Sequence, residues 1–127
     1  MTSRYNVAIL GASGLVGQRL QELLHDHPYF EVVAIAGSPN SVGLMHEEIE
    51  WRLDSRRPNY DILICSMSDI PDVDIAFSAL PNNVAEVVEP SLVARGIHVF
   101  SNASAFRRIA GIPLVIPEIN PEDMQSY

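Results

Sequence analysis

The chain has 127 residues, of which 47 % are hydrophobic and 19 % are charged, and its formal net charge is −8. This length suits one domain, and this composition can bury a core, so intrinsic disorder is excluded. The negative charge and the lack of a basic cluster argue against nucleic acid and against an anionic membrane as partners. The single cysteine, Cys65, cannot form an internal disulfide, and no apolar run could span a bilayer, so a cytoplasmic protein is expected.

Short apolar runs alternate with helix-like segments in the first part of the chain. Residues 5–10 form an apolar run that ends at a glycine, which is typical of a strand buried on both faces of a parallel sheet. A helix is predicted from Leu15 to about His25, because Leu and Val recur at helical spacing and Pro28 follows. Residues 31–36 are the second predicted strand.

The rest of the chain continues this alternation after a stretch without a clear period, in which only a short helix around residues 46–51 is predicted. An amphipathic helix is predicted over residues 83–95, with a kink or break at Pro90 and a left-handed cap at Gly96. Further strands are predicted at residues 60–65, 73–80, 97–100 and 113–116. The pattern predicts an α/β fold of the Rossmann type, a doubly wound and mostly parallel sheet, with one domain over residues 1–127.

Three glycines, Gly11, Gly14 and Gly17, lie between the first predicted strand and the first predicted helix. In dinucleotide-binding domains such glycines allow a tight turn, close approach to a pyrophosphate, and close packing of the helix on the sheet. The helix N-terminus adds free N–H groups and a partial positive charge. A tight turn that binds nothing is the alternative. The predicted cofactor-binding residues here are Gly11, Ala12, Ser13, Gly14, Leu15 and Val16.

The end of the second predicted strand bears on which dinucleotide is bound. Domains that prefer NAD usually carry Asp or Glu there, where the carboxylate holds the ribose hydroxyls. Here no carboxylate follows the strand, and Ser38 and Ser41 can donate hydrogen bonds to a 2′-phosphate, which favours NADP. No Arg or Lys lies in this loop, and both serines also suit a turn around Pro39, so NAD stays open.

Three later segments and the glycine turn resemble, in order and spacing, the N-terminal domain of aspartate-semialdehyde dehydrogenases. The similarity is to the archaeal and fungal branch, which includes malonyl-CoA reductases, and the segments are residues 77–85, 101–107 and 112–120. The resemblance implies NADPH-dependent reduction of aspartyl-4-phosphate to the semialdehyde in amino-acid biosynthesis, through a thioester on a cysteine. It also implies that Ser78, Leu80 and Pro81 lie along the cofactor, and that Asn102 and Arg107 hold the substrate's phosphate. Without the resemblance, Arg107 would suit a solvated surface position and Asn102 a turn.

Two departures from the family limit these implications. The family's loop after the second strand carries Arg and Lys where this chain has Asn40 and Leu44. The family's nucleophilic cysteine lies in a second domain, and Cys65 does not match its position. We therefore expect no catalytic residue in this chain, which alone would bind the cofactor without catalysis. No metal ligand is expected either, because the four histidines show no metal-ligand spacing.

Several interpretations of the chain stay open. The first is one half of such a reductase, and the second is a free-standing nucleotide-binding module. The third is a part of a related reductase that acts on an acyl phosphate or an acyl-CoA. An N-acetyl-glutamyl-phosphate reductase is disfavoured, because Asn82 and Asn83 stand where that family has a His-Gly pair. Besides the dinucleotide, the expected partners are a complementary catalytic half, which the acyl-phosphate substrate requires, or further copies of this chain.

Overall fold

The computed structural model describes residues 4–101, which form one parallel sheet with a helix on each face. The strands are β1 (Tyr5–Leu10), β2 (Phe30–Ala36), β3 (Ile75–Ser78) and β4 (His98–Ser101), in the sheet order β2-β1-β3-β4. Helix α1 (Leu15–Leu24) follows β1, and helix α2 (Asn82–Ala94) connects β3 to β4. The strand order reverses between β1 and β3, which confirms the predicted α/β fold of Rossmann type. No helix in this described part is long and apolar enough to cross a membrane.

Each face of the sheet carries an apolar layer, because successive side chains of a strand point to opposite faces. One layer packs against α1 and the other against α2, so β1 is buried on both faces and has an almost continuous apolar sequence. The α1 layer includes Val7, Ile9, Ile75, Phe77, Leu20 and Leu24. The α2 layer includes Ala8, Leu10, Ala76, Leu80, Leu92 and Ile97.

The prediction of β1 is confirmed in full, and the other strands of the sheet lie within two residues of the predicted bounds. The predicted break at Pro90 is wrong, since α2 continues across it. Proline removes the N–H that would reach the Glu86 carbonyl, but both residues lie on the exposed side of α2, where water can bond that carbonyl. Gly96 has φ +86°, which confirms the predicted left-handed cap.

The predicted strand at residues 60–65 is wrong. Only two isolated bridges form there, one antiparallel between Met45 and Leu63 and one parallel between Ala36 and Cys65. Leu63 is 59 % exposed, so the run is not buried on both faces. The segment passes the end of β2 instead of extending the sheet. The helix predicted around residues 46–51 is a 3-10 helix of three residues, His46–Glu48, and the strand predicted at 113–116 lies outside the described residues.

Candidate functional site

The glycine turn between β1 and α1 is held against the ends of both neighbouring strands. The Gly11 amide donates to the Ala36 carbonyl at 2.9 Å, and the Ala79 amide donates to the Leu10 carbonyl at 2.9 Å. Gly11 has φ +129°, a conformation that L side chains rarely adopt. The turn therefore lies where the strand order reverses, which is the position at which open parallel sheets bind their ligands.

Gly17 and Gly14 differ in what surrounds them. A Cβ built at Gly17 would lie 1.9 Å from the Gly11 carbonyl oxygen, so α1 can pack this closely on the turn only because residue 17 is glycine. A Cβ built at Gly14 would meet nothing within 4 Å, and its φ is an ordinary −82°. The fold thus requires Gly17, whereas Gly14 faces open space at the N-terminus of α1.

The remaining residues of the predicted turn differ in exposure. Ala12 is buried, whereas Leu15 is 59 % exposed and Val16 is 40 % exposed. Ser13 is partly buried.

The loop after β2 lies beside the glycine turn. A Cβ at Gly37 would be 3.3 Å from the Cβ of Ala12 and 2.9 Å from the Cβ of Ser41. Ser41 is only 7 % exposed, and its amide donates to the Ser38 carbonyl at 2.8 Å. Ser38 itself is exposed. Of the two predicted serines, Ser38 is therefore the one free to meet a ligand.

The third strand end, after β3, lies beside the glycine turn, since a Cβ built at Gly11 would be 3.3 Å from the Cβ of Ala79. Ser78 is fully buried, and its hydroxyl has no hydrogen-bond partner among residues 4–101. Leu80 is buried and Pro81 is exposed, immediately before α2. The predicted phosphate-binding residues Asn102 and Arg107 lie outside the described residues.

Two buried glutamines on α1 donate hydrogen bonds to carbonyls of the glycine turn. Neither was among the residues predicted from the sequence. Gln18 and Gln21 are both 0 % exposed. The Gln21 side-chain nitrogen Nε2 donates to the carbonyls of Gly11 at 3.1 Å and of Ala12 at 3.2 Å. Their spacing could have predicted this role. They lie one and four positions after Gly17, on the face of α1 that packs on the turn.

The orientation of the Gln21 side chain fixes the protonation of a buried histidine, His46. Since Gln21 Nε2 faces two carbonyl oxygens, its Oε1 is the acceptor for His46 Nε2–H, at 2.7 Å. His46 is 1 % exposed and therefore neutral, with the proton on Nε2. Burial is the main reason why the pKa of His46 is lowered to about 4, and the nearby Arg57 and His25 contribute to the same shift.

We expect acid to destabilise the fold through His46. Its folded-state pKa is about 4, below the value near 6.5 of an unfolded chain, so stability falls as pH drops from about 6.5 to 4 and then levels off. The loss from this residue is on the order of 3 kcal/mol. Urea denaturation at a series of pH values checks this. A His46→Gln variant should show a shallower pH dependence, and the partly buried His27, whose pKa is also lowered by burial, contributes in the same direction in both proteins. An unchanged slope in that variant would contradict the assignment.

The single cysteine lies next to the end of β2, where the Cys65 amide donates to the Ile35 carbonyl at 3.1 Å. Burial raises the pKa of the Cys65 thiol, with the nearby Asp69 adding to the rise. A raised pKa disfavours the thiolate, which is the nucleophilic form. This supports the expectation that Cys65 is not a catalytic nucleophile.

A glycine turn that opens a helix at the reversal point of a parallel sheet defines a dinucleotide-binding domain of the Rossmann type. The family described as "Semialdehyde dehydrogenase, NAD binding domain" matches residues 6–127, and the chain belongs to this family. This confirms the resemblance inferred from the four sequence segments.

Individual relatives agree with this membership. The chain is 43 % identical over 125 residues to an aspartate-semialdehyde dehydrogenase of Archaeoglobus fulgidus, covering 95 % of this chain and 36 % of that protein. It is 37 % identical to a malonyl CoA reductase (NADP) of Metallosphaera sedula, covering 95 % of this chain and 35 % of that protein. The structure of aspartate semialdehyde dehydrogenase with NADP from Candida albicans superposes with a TM-score of 0.74 at 35 % identity, covering 96 % of this chain and 36 % of that one. The chain thus spans about a third of the length of the relatives it matches.

Proposed function

We propose that the chain binds a nicotinamide dinucleotide with its pyrophosphate at the N-terminus of α1, as the cofactor domain of an aspartate-semialdehyde dehydrogenase. The observation that carries the proposal is the contrast between two glycines. The Gly11 carbonyl occupies the space that a Cβ would need at Gly17. A Cβ at Gly14 would meet no atom within 4 Å. A phosphate that enters this space meets the free N–H groups and the positive end of the helix dipole.

The described residues support binding and orientation of the cofactor. The exposed Leu15 and Val16 give an apolar surface beside the phosphate position. On the other side of the turn, the buried Leu80 and the exposed Pro81 follow the end of β3, the strand next to β1. When bound, the nicotinamide would exchange a hydride with the carbonyl carbon of the substrate. Because the family's nucleophile lies in a second domain, we assign the covalent chemistry to that domain.

The proposed cofactor is NADP, with NAD as the alternative. The loop that follows β2 holds no carboxylate that would repel a 2′-phosphate, and the exposed Ser38 follows the end of β2, the strand end that carries the ribose-binding residue in domains of this type. The solved relative from Candida albicans contains NADP, which supports this choice. The absence of the family's Arg and Lys, at Asn40 and Leu44, is the reason to keep NAD as a tested alternative.

The proposed substrate is an acyl phosphate, aspartyl-4-phosphate, held through Asn102 and Arg107. A guanidinium matches phosphate oxygens with two parallel hydrogen bonds, which makes Arg107 suited to this role. An acyl-CoA substrate is the second candidate, because a malonyl CoA reductase is among the relatives.

Calorimetric titration of the chain with NADP and with NAD tests the cofactor proposal. We expect NADP to bind more tightly, and a Ser38→Asp variant to reverse the preference by roughly tenfold or more, because the new carboxylate repels the 2′-phosphate and accepts from ribose hydroxyls.

The matched control is Ser38→Ala, which removes the hydroxyl without adding charge and should weaken NADP binding only slightly. No heat with either dinucleotide at millimolar concentration would refute dinucleotide binding. If the Ser38→Asp variant keeps the wild-type preference for NADP over NAD, the adenosine ribose does not bind next to Ser38.

A further inference from the structure

We propose that Gln21, anchored by His46, is a positioning residue that aims the N–H groups of the glycine turn at the bound pyrophosphate. The proposal deepens the dinucleotide binding proposed for this site and rests on it.

The first step is the geometry of two peptide groups. A trans peptide is planar, and its C=O and N–H point in opposite directions. The carbonyls of Gly11 and Ala12 both accept from Gln21 Nε2, at 3.1 and 3.2 Å, and no peptide bond in the described chain is cis. The N–H groups in the same two planes belong to Ala12 and Ser13. They therefore point away from Gln21, so that an anion on the opposite side of the turn can accept from both.

The second step is that the two carbonyls have no freedom to turn. Gln18 Nε2 also donates to the Ala12 carbonyl, at 3.3 Å, and to the Glu50 carbonyl, at 2.7 Å. The missing Cβ of Gly17 lets the Gly11 carbonyl approach α1 closely enough to reach Gln21. The buried face of α1 thus holds both peptide planes at once.

The third step is that the Gln21 amide itself is locked. Its Oε1 accepts from His46 Nε2 at 2.7 Å, so a flipped amide would set an oxygen against two carbonyls and an NH2 against a donor. His46 packs edge-on against Tyr60 with ring centroids 5.1 Å apart, and the Tyr60 hydroxyl donates to the Gln21 backbone carbonyl at 2.6 Å. Arg57 donates to the His46 carbonyl at 2.8 Å. The segment after β2 therefore fixes the orientation of the turn.

The proposal is tested by measuring NADP affinity and the backbone amide signals of Ala12 and Ser13 by NMR titration, in the wild-type chain and in a Gln21→Met variant. Methionine keeps the length and volume of the side chain but cannot donate to the carbonyls. We expect NADP to bind about tenfold or more weakly to a folded Gln21→Met variant. The shifts of the Ala12 and Ser13 amide signals at saturation should also be smaller. Wild-type affinity and wild-type amide shifts in the folded variant would overturn the proposal.

Two variants of His46 provide a rescue test that decides the matter if Gln21→Met does not fold. His46→Gln keeps an N–H donor near the position of Nε2, whereas His46→Leu removes it. Near-wild-type binding in His46→Gln with weakened binding in His46→Leu supports the proposal, and equal affinity in both overturns it. A wild-type chain that binds no dinucleotide would instead refute the proposed function, so the two failures are distinguishable.

Discussion

A Gly17→Ala variant is expected to lose about 3 kcal/mol or more of its free energy of unfolding. The added Cβ would lie 1.9 Å from the Gly11 carbonyl oxygen and 2.8 Å from its carbonyl carbon. Both are backbone atoms of a turn that is hydrogen-bonded to the end of β2, so they cannot swing aside as a flexible side chain would. Helix α1 must therefore move away from β1, which also pulls Leu20 and Leu24 out of the core. Urea denaturation followed by circular dichroism measures the loss.

The matched control for this prediction is Gly14→Ala. It adds the same methyl group three residues earlier, where nothing lies within 4 Å and φ is −82°. Its cost should be within about 1 kcal/mol, the range for replacing glycine at a helix N-cap. If Gly17→Ala proves as stable as Gly14→Ala, then the close packing of α1 on the turn is not needed for the fold.

A Gly14→Val variant is expected to bind a nicotinamide dinucleotide at least about 100-fold more weakly while remaining folded. The side chain would occupy the open space in which the pyrophosphate approaches the helix N-terminus. Valine is compatible with the extended conformation of residue 14, with φ −82° and ψ 159°, so the free energy of unfolding should change by only about 1 kcal/mol. Calorimetric titration with NADP, paired with a denaturation curve, separates the two effects.

The Gly14→Ala variant serves here as an intermediate step in size. A graded loss of affinity from glycine through alanine to valine is the expected result, because steric exclusion of the pyrophosphate grows with the side chain. A folded Gly14→Val variant with wild-type affinity would show that the dinucleotide phosphates do not lie at this turn.

Local patterns were sufficient to predict most of the fold. The run Tyr5–Leu10 is apolar on both faces because it lies in the middle of the sheet, and the glycines after it leave few alternatives to a tight turn. The same reasoning failed at residues 60–65, which have a similar composition. There the outcome depends on Met45 and Ala36, which pair with this segment in opposite directions, and neither partner can be read from the segment itself.

The apolar spacing of α1 was also an incomplete guide to its buried face. Leu15 and Val16 fit the helical pattern but are exposed, whereas Gln18 and Gln21 are completely buried. Hydrophobicity predicts burial only on average, and a polar side chain can be buried when the tertiary structure satisfies its hydrogen bonds. The carbonyls and the histidine that satisfy Gln21 come from the turn and from the segment after β2.

The sequence by itself therefore determined the strand, the glycine turn and the helix that make this chain a dinucleotide-binding domain, since these depend on backbone conformation and periodicity among near neighbours. Only the tertiary structure decided which serine after β2 is exposed and which polar groups orient the turn. The proposed orientation of the turn depends on Gln21 and His46, which lie 25 residues apart in sequence and meet only in the folded chain.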